Sequence, residues 1–461
     1  MEEQQQRSKL GKRTSGKKAQ GSAILILPVE LLQHIVSLSI PQISRNLRNS
    51  RGIFLPLDKG DPHPNIVRAA INGISRYFQE ILHNTPTAWT TLILDQQREG
   101  ALFWLSKCLA HSGVHPLDVY LSSGVDIGRA YRQKLMSDLG PHFPRIRRLF
   151  CNIESSYMLQ VIFRPVEDGS ERAGNQSAFP ILQDLSLAGN GVFTGLRNKV
   201  HLPALNYFSA SPWFSVAFRH LTEGSLQSIK ALRLSYTTGP LKPDLLELAR
   251  CRNLEDLTWS KEGSHNTARI GSLVATGMLQ LPCLRELRLS IHSIQVAVFF
   301  INALTAPQLT FLSIRVTAMP RSNSPKAMDF LAAIPGIKSS KLSHLMFQRI
   351  GFTSEGLKEI FQGIPRLTKL SFMQCVFSST FFSTLSSTED STPCPELRQI
   401  YIHSSRFGEK DFVKFAEFAK LDDLQMVDCG VRETTLQELQ RIYGDAFVAK
   451  RPQLLKGYIS D

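Results

Sequence analysis

The 461-residue chain is 43% apolar and 9% aromatic, enough to bury a large core and too long for one ordinary compact domain, so it must hold several modules or a repeat array. Its net charge of +14 admits acidic partners, whether nucleic acid or acidic protein segments. Seven scattered cysteines with no C-x-x-C pair are the usage of a reduced intracellular protein, which excludes a disulfide framework and a zinc site.

In chain order, residues 1–22 form a basic tail with Arg7, Lys9, Lys12, Arg13, Lys17 and Lys18. It reads as a solvated tail, with a nuclear-import signal as the alternative reading. The apolar "AILIL" that follows stops at Pro28 and Glu30, too short for a signal peptide, and no stretch approaches the ~18 apolar residues that span a bilayer. A cytoplasmic or nuclear location, or both, is therefore expected. "LPVELLQHIVSL" then predicts a helix, with Pro28 in its first turn and Leu31, Leu32, Ile35 and Leu38 along one apolar stripe. A polar insertion spans about 41–65. A second helical stripe is expected from Ile74, Phe78, Ile81 and Leu82; Asn84, Thr85 and Pro86 break it, and Trp89 leads into the strand-like "TLIL".

The rest of the chain is periodic. A frame of Leu-x-x-Leu-x-Leu type starts at Ile146, Leu182, Leu205, Ile229, Leu254, Leu284, Leu309, Leu342, Leu367, Leu397 and Leu421, and from Leu182 its intervals run from 23 to 33 residues. Proline stands two positions before the frame at Pro144, Pro180, Pro203, Pro282, Pro307, Pro365 and Pro395, where it is expected to end the preceding helix and force an extended entry. Helical spacing recurs between frames, as in "TSEGLKEIFQGI" and "KDFVKFAEFAK". One strand and one helix per unit predict an α/β fold, an irregular leucine-rich-repeat solenoid over 91–445, with a C-terminal tail at 446–461. Cys375 and Cys429, each eight residues after a frame start, match the cysteine-containing type of repeat.

Residues 23–90 resemble the F-box family, and with the repeats the chain resembles the fungal group that joins an F-box to leucine-rich repeats. The family's L-P-x-E-L-L-x-x-I opening matches Leu27, Pro28, Glu30, Leu31, Leu32 and Ile35. Its later segment is similar to Ile74, Ser75, Arg76, Phe78, Ile81, Thr85, Pro86 and Trp89, with Phe78 in place of the usual tryptophan. "FWLSKCLAHSGVHPLDVYLSS" resembles a further stretch of that group. The insertion of about thirty residues between the two matched helices is longer than the compact F-box usually allows. The resemblance implies an F-box-like helical module at 23–90 that docks a Skp-type adaptor through Leu27, Pro28, Glu30, Leu31, Ile35, Ile74, Phe78 and Trp89. Through that adaptor it implies a cullin-RING ubiquitin ligase, with this chain as the substrate-recognition subunit of an SCF-type complex.

Sites of bond chemistry are not apparent. Gly189, Gly191 and Gly195 have the wrong spacing for a dinucleotide loop and fall at a repeat turn. His111 and His115 are separated by Gly113 and read as loop residues, not metal ligands. No enzyme activity, cofactor or metal is expected.

In such a solenoid the alternate strand positions, two, four and six after the frame start, face the concave surface. Arg233, Arg288, Phe311, Arg315, Met346, Lys369, Met373, Tyr401 and His403 are the expected substrate contacts, because arginine, aromatic and methionine side chains are enriched where partners bind. Arg233, Arg288, Arg315 and Lys369 would form a basic strip suited to an acidic or phosphorylated segment. Two other readings stand beside the receptor: a protein-interaction scaffold whose F-box has decayed, and a basic nucleic-acid-associated repeat protein, the less favoured.

Overall fold

The computed structural model describes residues 27–43, 61–95, 100–123, 129–153, 162–163, 178–189, 199–212, 215–236, 241–261, 279–317, 341–352, 364, 366–382 and 396–450. The tail at 1–22, "TSEGLKEIFQGI" up to its final Ile364, and Gly191 and Gly195 lie outside the described residues. Helices α1 (Val29–Ser39), α2 (Pro64–Ile74) and α3 (Arg76–His83), with a short 3-10 turn at Pro86–Trp89, precede one parallel sheet. Its fourteen strands follow chain order: β1 (Thr91–Asp95), β2 (Leu117–Ser123), β3 (Ile146–Ile153), β4 (Asp184–Ala188), β5 (Tyr207–Ala210), β6 (Ala231–Tyr236), β7 (Asp256–Lys261), β8 (Glu286–Ile291), β9 (Phe311–Val316), β10 (His344–Gln348), β11 (Lys369–Met373), β12 (Gln399–His403), β13 (Asp423–Val427) and β14 (Phe447–Lys450). The chain is an α/β repeat solenoid of the leucine-rich-repeat kind.

The frame explains the register. From β4 to β13 each strand begins two residues after its frame start, so equivalent residues pair across the array. Leu232, Leu257, Leu287, Leu312, Leu345, Leu370, Ile400 and Leu424 form one in-register ladder. All eight are buried, as are the frame leucines that precede them. No single repeat could bury this stripe alone, and stacking turns it into one continuous core that runs from Leu32 to Phe447. Helices such as α4 (Ala101–His111) lie between the strands. "KDFVKFAEFAK" falls in the helix Glu409–Ala419, as its spacing predicts.

Four prolines act differently from the sequence expectation. The frame N–H donates to the carbonyl three residues back at Leu182, Leu205, Leu284 and Leu309. Pro180, Pro203, Pro282 and Pro307 therefore occupy the second position of a tight turn, where a fixed φ is pre-set for the bend. They shape the entry to the strand, beyond merely stopping a helix.

Three strands have no frame in the sequence reading: β1, β2 and β14. The last pairs with β13 through Leu424 and Phe447, so the sheet runs to Lys450 and the array does not end at residue 445. The polar insertion is also shorter at its far end than expected, because α2 starts at Pro64 with His63 as its N-cap. Ser75 breaks the predicted second stripe: Ile74 ends α2, while Ser75 Oγ accepts from the Phe78 N–H to open α3.

Beyond β10 to β13 a row of non-glycine residues sits in the left-handed region: Arg349 (φ 57), Gln374 (φ 54), Ser404 (φ 46) and Asp428 (φ 53). The first three donate their N–H forward to the last carbonyl of the next strand, at Met373, His403 and Val427. That bond offsets part of the steric cost of a Cβ there, about 1 to 2 kcal/mol per residue. Cys375 and Cys429 follow one residue after two of these turns, and their Sγ atoms reach back to the carbonyls of Phe347 and Ile402. Burial pushes the Cys375 thiol up to about 12, so it serves packing and not reactivity.

Candidate functional site

Helix α1 carries two apolar stripes where the sequence suggests one. Leu32, Val36 and Ile40, four residues apart, are buried in the main core. Leu31, Ile35 and Leu38, at i, i+4 and i+7, point away from it, with Leu31 50% and Leu38 72% exposed. Pro28 stands at the N-cap, one place before the first turn where it was expected, and Glu30 is exposed in that turn, where a negative charge suits the helix dipole. Leu27 is half-buried against the core.

The remaining predicted adaptor contacts divide. Ile74 is 61% exposed at the end of α2. Phe78 and Trp89 are buried, which removes both from any docking surface. Register gives the reason for Trp89: Leu92 pairs with Val119, and Val119 with Leu149, so Trp89 holds the frame position of the first strand. Its Nε1–H donates to the Leu82 carbonyl at 2.8 Å. Its ring stacks on His111 at 4.6 Å, and His111 stacks in turn on His83 at 4.5 Å. Burial lowers the His111 pKa, and nearby His83 and Lys107 lower it further, so this imidazole packs as a neutral ring at pH 7. Beneath Trp89 the fully buried Arg68 donates to the carbonyls of Ala88 (2.8 Å) and Thr91 (2.7 Å) and to Asn65 Oδ1 (2.7 Å). Those three bonds make burial of its charge tolerable.

Sequence reasoning missed other exposed apolar residues of the same module: Val29, Ile66 and Tyr77. Val29 and Tyr77 had been passed over beside the matched motif. Ile66 follows Pro64 at the start of a helix, a signal that was available and was read as the end of an insertion.

On the concave face every predicted contact occupies a position that looks away from the main core. In β6, β7 and β8 burial alternates along each strand, with Arg233, Thr258 and Arg288 in one row and Ser235, Ser260 and Ser290 in the next. Arg288 is not a free cation: its guanidinium donates to Asp256 at 3.0 Å and Glu286 at 2.5 Å. It also lies over the Phe311 ring at 4.9 Å, and Phe311 meets His344 edge to face at 4.6 Å. Burial, and then Lys369, lowers the His344 pKa to about 4. Arg315 is exposed, and Met346, Lys369 and Met373 are half-buried on β10 and β11. Tyr401 and His403 have nearly parallel rings, 6° apart. The basic strip is thus interrupted at Arg288, and its four members do not act as four equal charges.

The first five strands differ. Ile93, Tyr120, Phe150 and Ala188, all on the concave side, form a separate buried cluster closed by Ile43 from the chain after α1. In the adjoining row Arg148 bridges Asp118 (3.6 Å) and Asp184 (3.1 Å), two carboxylates almost completely buried. Arg147 adds a two-pronged contact to Asp118 at 3.1 and 2.9 Å.

Among the described residues no group of three or more His, Cys, Asp or Glu could hold a metal ion, and no helix is long and apolar enough to cross a membrane. No protein-family model matches the sequence. No curated protein matches it either. Among solved structures, an internalin from Listeria monocytogenes is similar over 84% of this chain and 94% of its own, at 11% identity and a TM-score of 0.36.

Proposed function

We propose that this chain is an F-box protein of the fungal leucine-rich-repeat group, the substrate-recognition subunit of an SCF-type cullin-RING ubiquitin ligase. The observation that carries the reading is the outer stripe of α1. Leu31, Ile35 and Leu38 are exposed on a helix already anchored by Leu32, Val36 and Ile40, so the core does not account for them. They lie in the segment whose Leu27, Pro28, Glu30 and Leu31 resemble the adaptor-docking opening of that family. A stripe of this kind fits the helix-in-groove mode, in which apolar anchors at i, i+4 and i+7 enter a partner's groove. The concave face of β6–β12 would hold the target. The chain would perform no bond chemistry itself and would act by raising the effective concentration of a target lysine beside a ubiquitin-charged enzyme.

The test is co-purification with a Skp-type adaptor. The wild type retains the adaptor, and Leu31→Glu with Ile35→Glu loses it while the circular dichroism spectrum is unchanged, because neither side chain belongs to the core. Absence of adaptor from the wild type, or its retention by the double variant, would refute the reading and leave a repeat scaffold.

A further inference from the structure

Taking the concave face as the target-docking surface proposed above, we propose that the pocket between β6, β7 and β8 receives one carboxylate side chain from an extended segment of the target. The pocket is an open concavity of about 310 Å³ lined by Arg233, Leu234, Ser235, Thr258 and Arg288. Two of its groups have unused capacity. Arg233 makes no ion pair among the described residues, and its guanidinium lies 5.9 Å from the centre of the Tyr207 ring. Thr258 Oγ1 is buried without a hydrogen-bond partner among the described residues.

The same sheet shows what such a site looks like when filled. On β2 and β3, Arg147 grips the Asp118 carboxylate with two parallel N–H donors. One residue further along β3, Arg148 sits between Asp118 and Asp184. Along its own row Arg233 has Ser209 on one side and Thr258 on the other, and no acid. A carboxylate from outside would supply the missing partner to a fork built for it.

The charge balance selects one negative charge over two. Arg288 is bridged to Asp256 and Glu286, whereas Arg233 has no carboxylate within ion-pair distance among the described residues, although Asp256 feels its field. Burial holds the Asp256 carboxyl above its usual range against the pull of Arg288 and, more weakly, Arg233, and Glu286 adds to the effect. The two arginines and two carboxylates together are neutral, so a phosphoryl group would bring two excess negative charges beside this acid wall and a carboxylate only one.

The experiment uses the full chain, immobilised, and a random peptide library with both ends blocked. The wild type is expected to enrich Asp or Glu at one library position by about tenfold, the effect of one charge-assisted hydrogen-bonded pair. Arg233→Glu is expected to abolish that enrichment and to select Lys or Arg there, and Arg233→Gln to abolish it without a new preference. No acidic enrichment by the wild type, an enrichment unchanged in Arg233→Glu, or tighter binding of a phosphoserine peptide than of its Glu counterpart would overturn the proposal. Capture from an otherwise identical library with free C-termini, but not from the blocked one, would overturn it too, by assigning the site to chain ends. Adaptor co-purification is read on the same preparations. Loss of acidic selection with the adaptor retained defeats the pocket alone, and acidic selection without any adaptor defeats only the ligase reading.

Discussion

The concave face changes character between β5 and β6. From β6 to β10 and again at β12 and β13 the strands follow one rule, inward residues buried and concave residues partly exposed. In β4 and β5 every residue is buried, and across β1–β4 the concave positions hold Ile93, Tyr120, Phe150 and Ala188 packed with Ile43. The strands are parallel in both regions, with one register shift between β2 and β3 at Leu117 and Asp118; the chain around them differs. The helical module precedes the array, and the segment leaving α1 brings Ile43 over the first strands. A strand buried on both faces loses its polar alternation, and an ion pair within it loses its water.

Substitutions in the two regions should separate sharply. The largest effect is expected from Arg148→Ala, which breaks a bridge to two buried carboxylates. It should cost about 3 kcal/mol or more, read as a lower urea midpoint at unchanged slope. Trp89→Phe keeps the ring and removes the donor to the Leu82 carbonyl, for a loss of about 1 to 2 kcal/mol on the same measurement. Arg288→Ala, an arginine with two carboxylate partners like Arg148 but in the open region, should cost under about 1 kcal/mol. Equal losses at Arg148 and Arg288 would erase the distinction between the regions.

A pH dependence is expected as well. His344 has a folded-state pKa near 4 against an ordinary 6.5, so between those values the unfolded chain binds more protons. Stability from this group is full above 6.5 and is lost as pH falls toward 4. His344→Gln should flatten that slope in the denaturation midpoint. A variant that follows the wild-type curve would assign the dependence to other groups.

The array was legible because Leu254, Leu257 and its counterparts are simultaneously a sequence period and a packing requirement. Concave positions could be counted from the frame for the same reason. Strands β2 and β14 were missed, and β1 was read as a strand but not as a repeat, because their frame positions hold Pro116, Gly444 and Trp89, which no leucine pattern finds. The burial of Phe78 and Trp89 was hidden by motif matching: an aromatic in a matched segment was assigned to a partner, although the chain's own core claimed it. The division of α1 into two stripes was beyond reach, since Leu31 and Leu32 are the same residue type and only the position of α3 and the 3-10 turn decides which faces in. The pairing of Arg288 depends on Asp256 from a neighbouring repeat, thirty-two residues earlier.

Trp89 closes the helical module and opens the first repeat, and both draw on one uninterrupted core. The outer stripe of α1 and the concave pocket are thus joined through packed side chains, so a partner gripping the helix is carried on the same core as whatever lies in the pocket. Reach toward a bound partner is then set by the length and curvature of the array, and a change in repeat number would move it in steps.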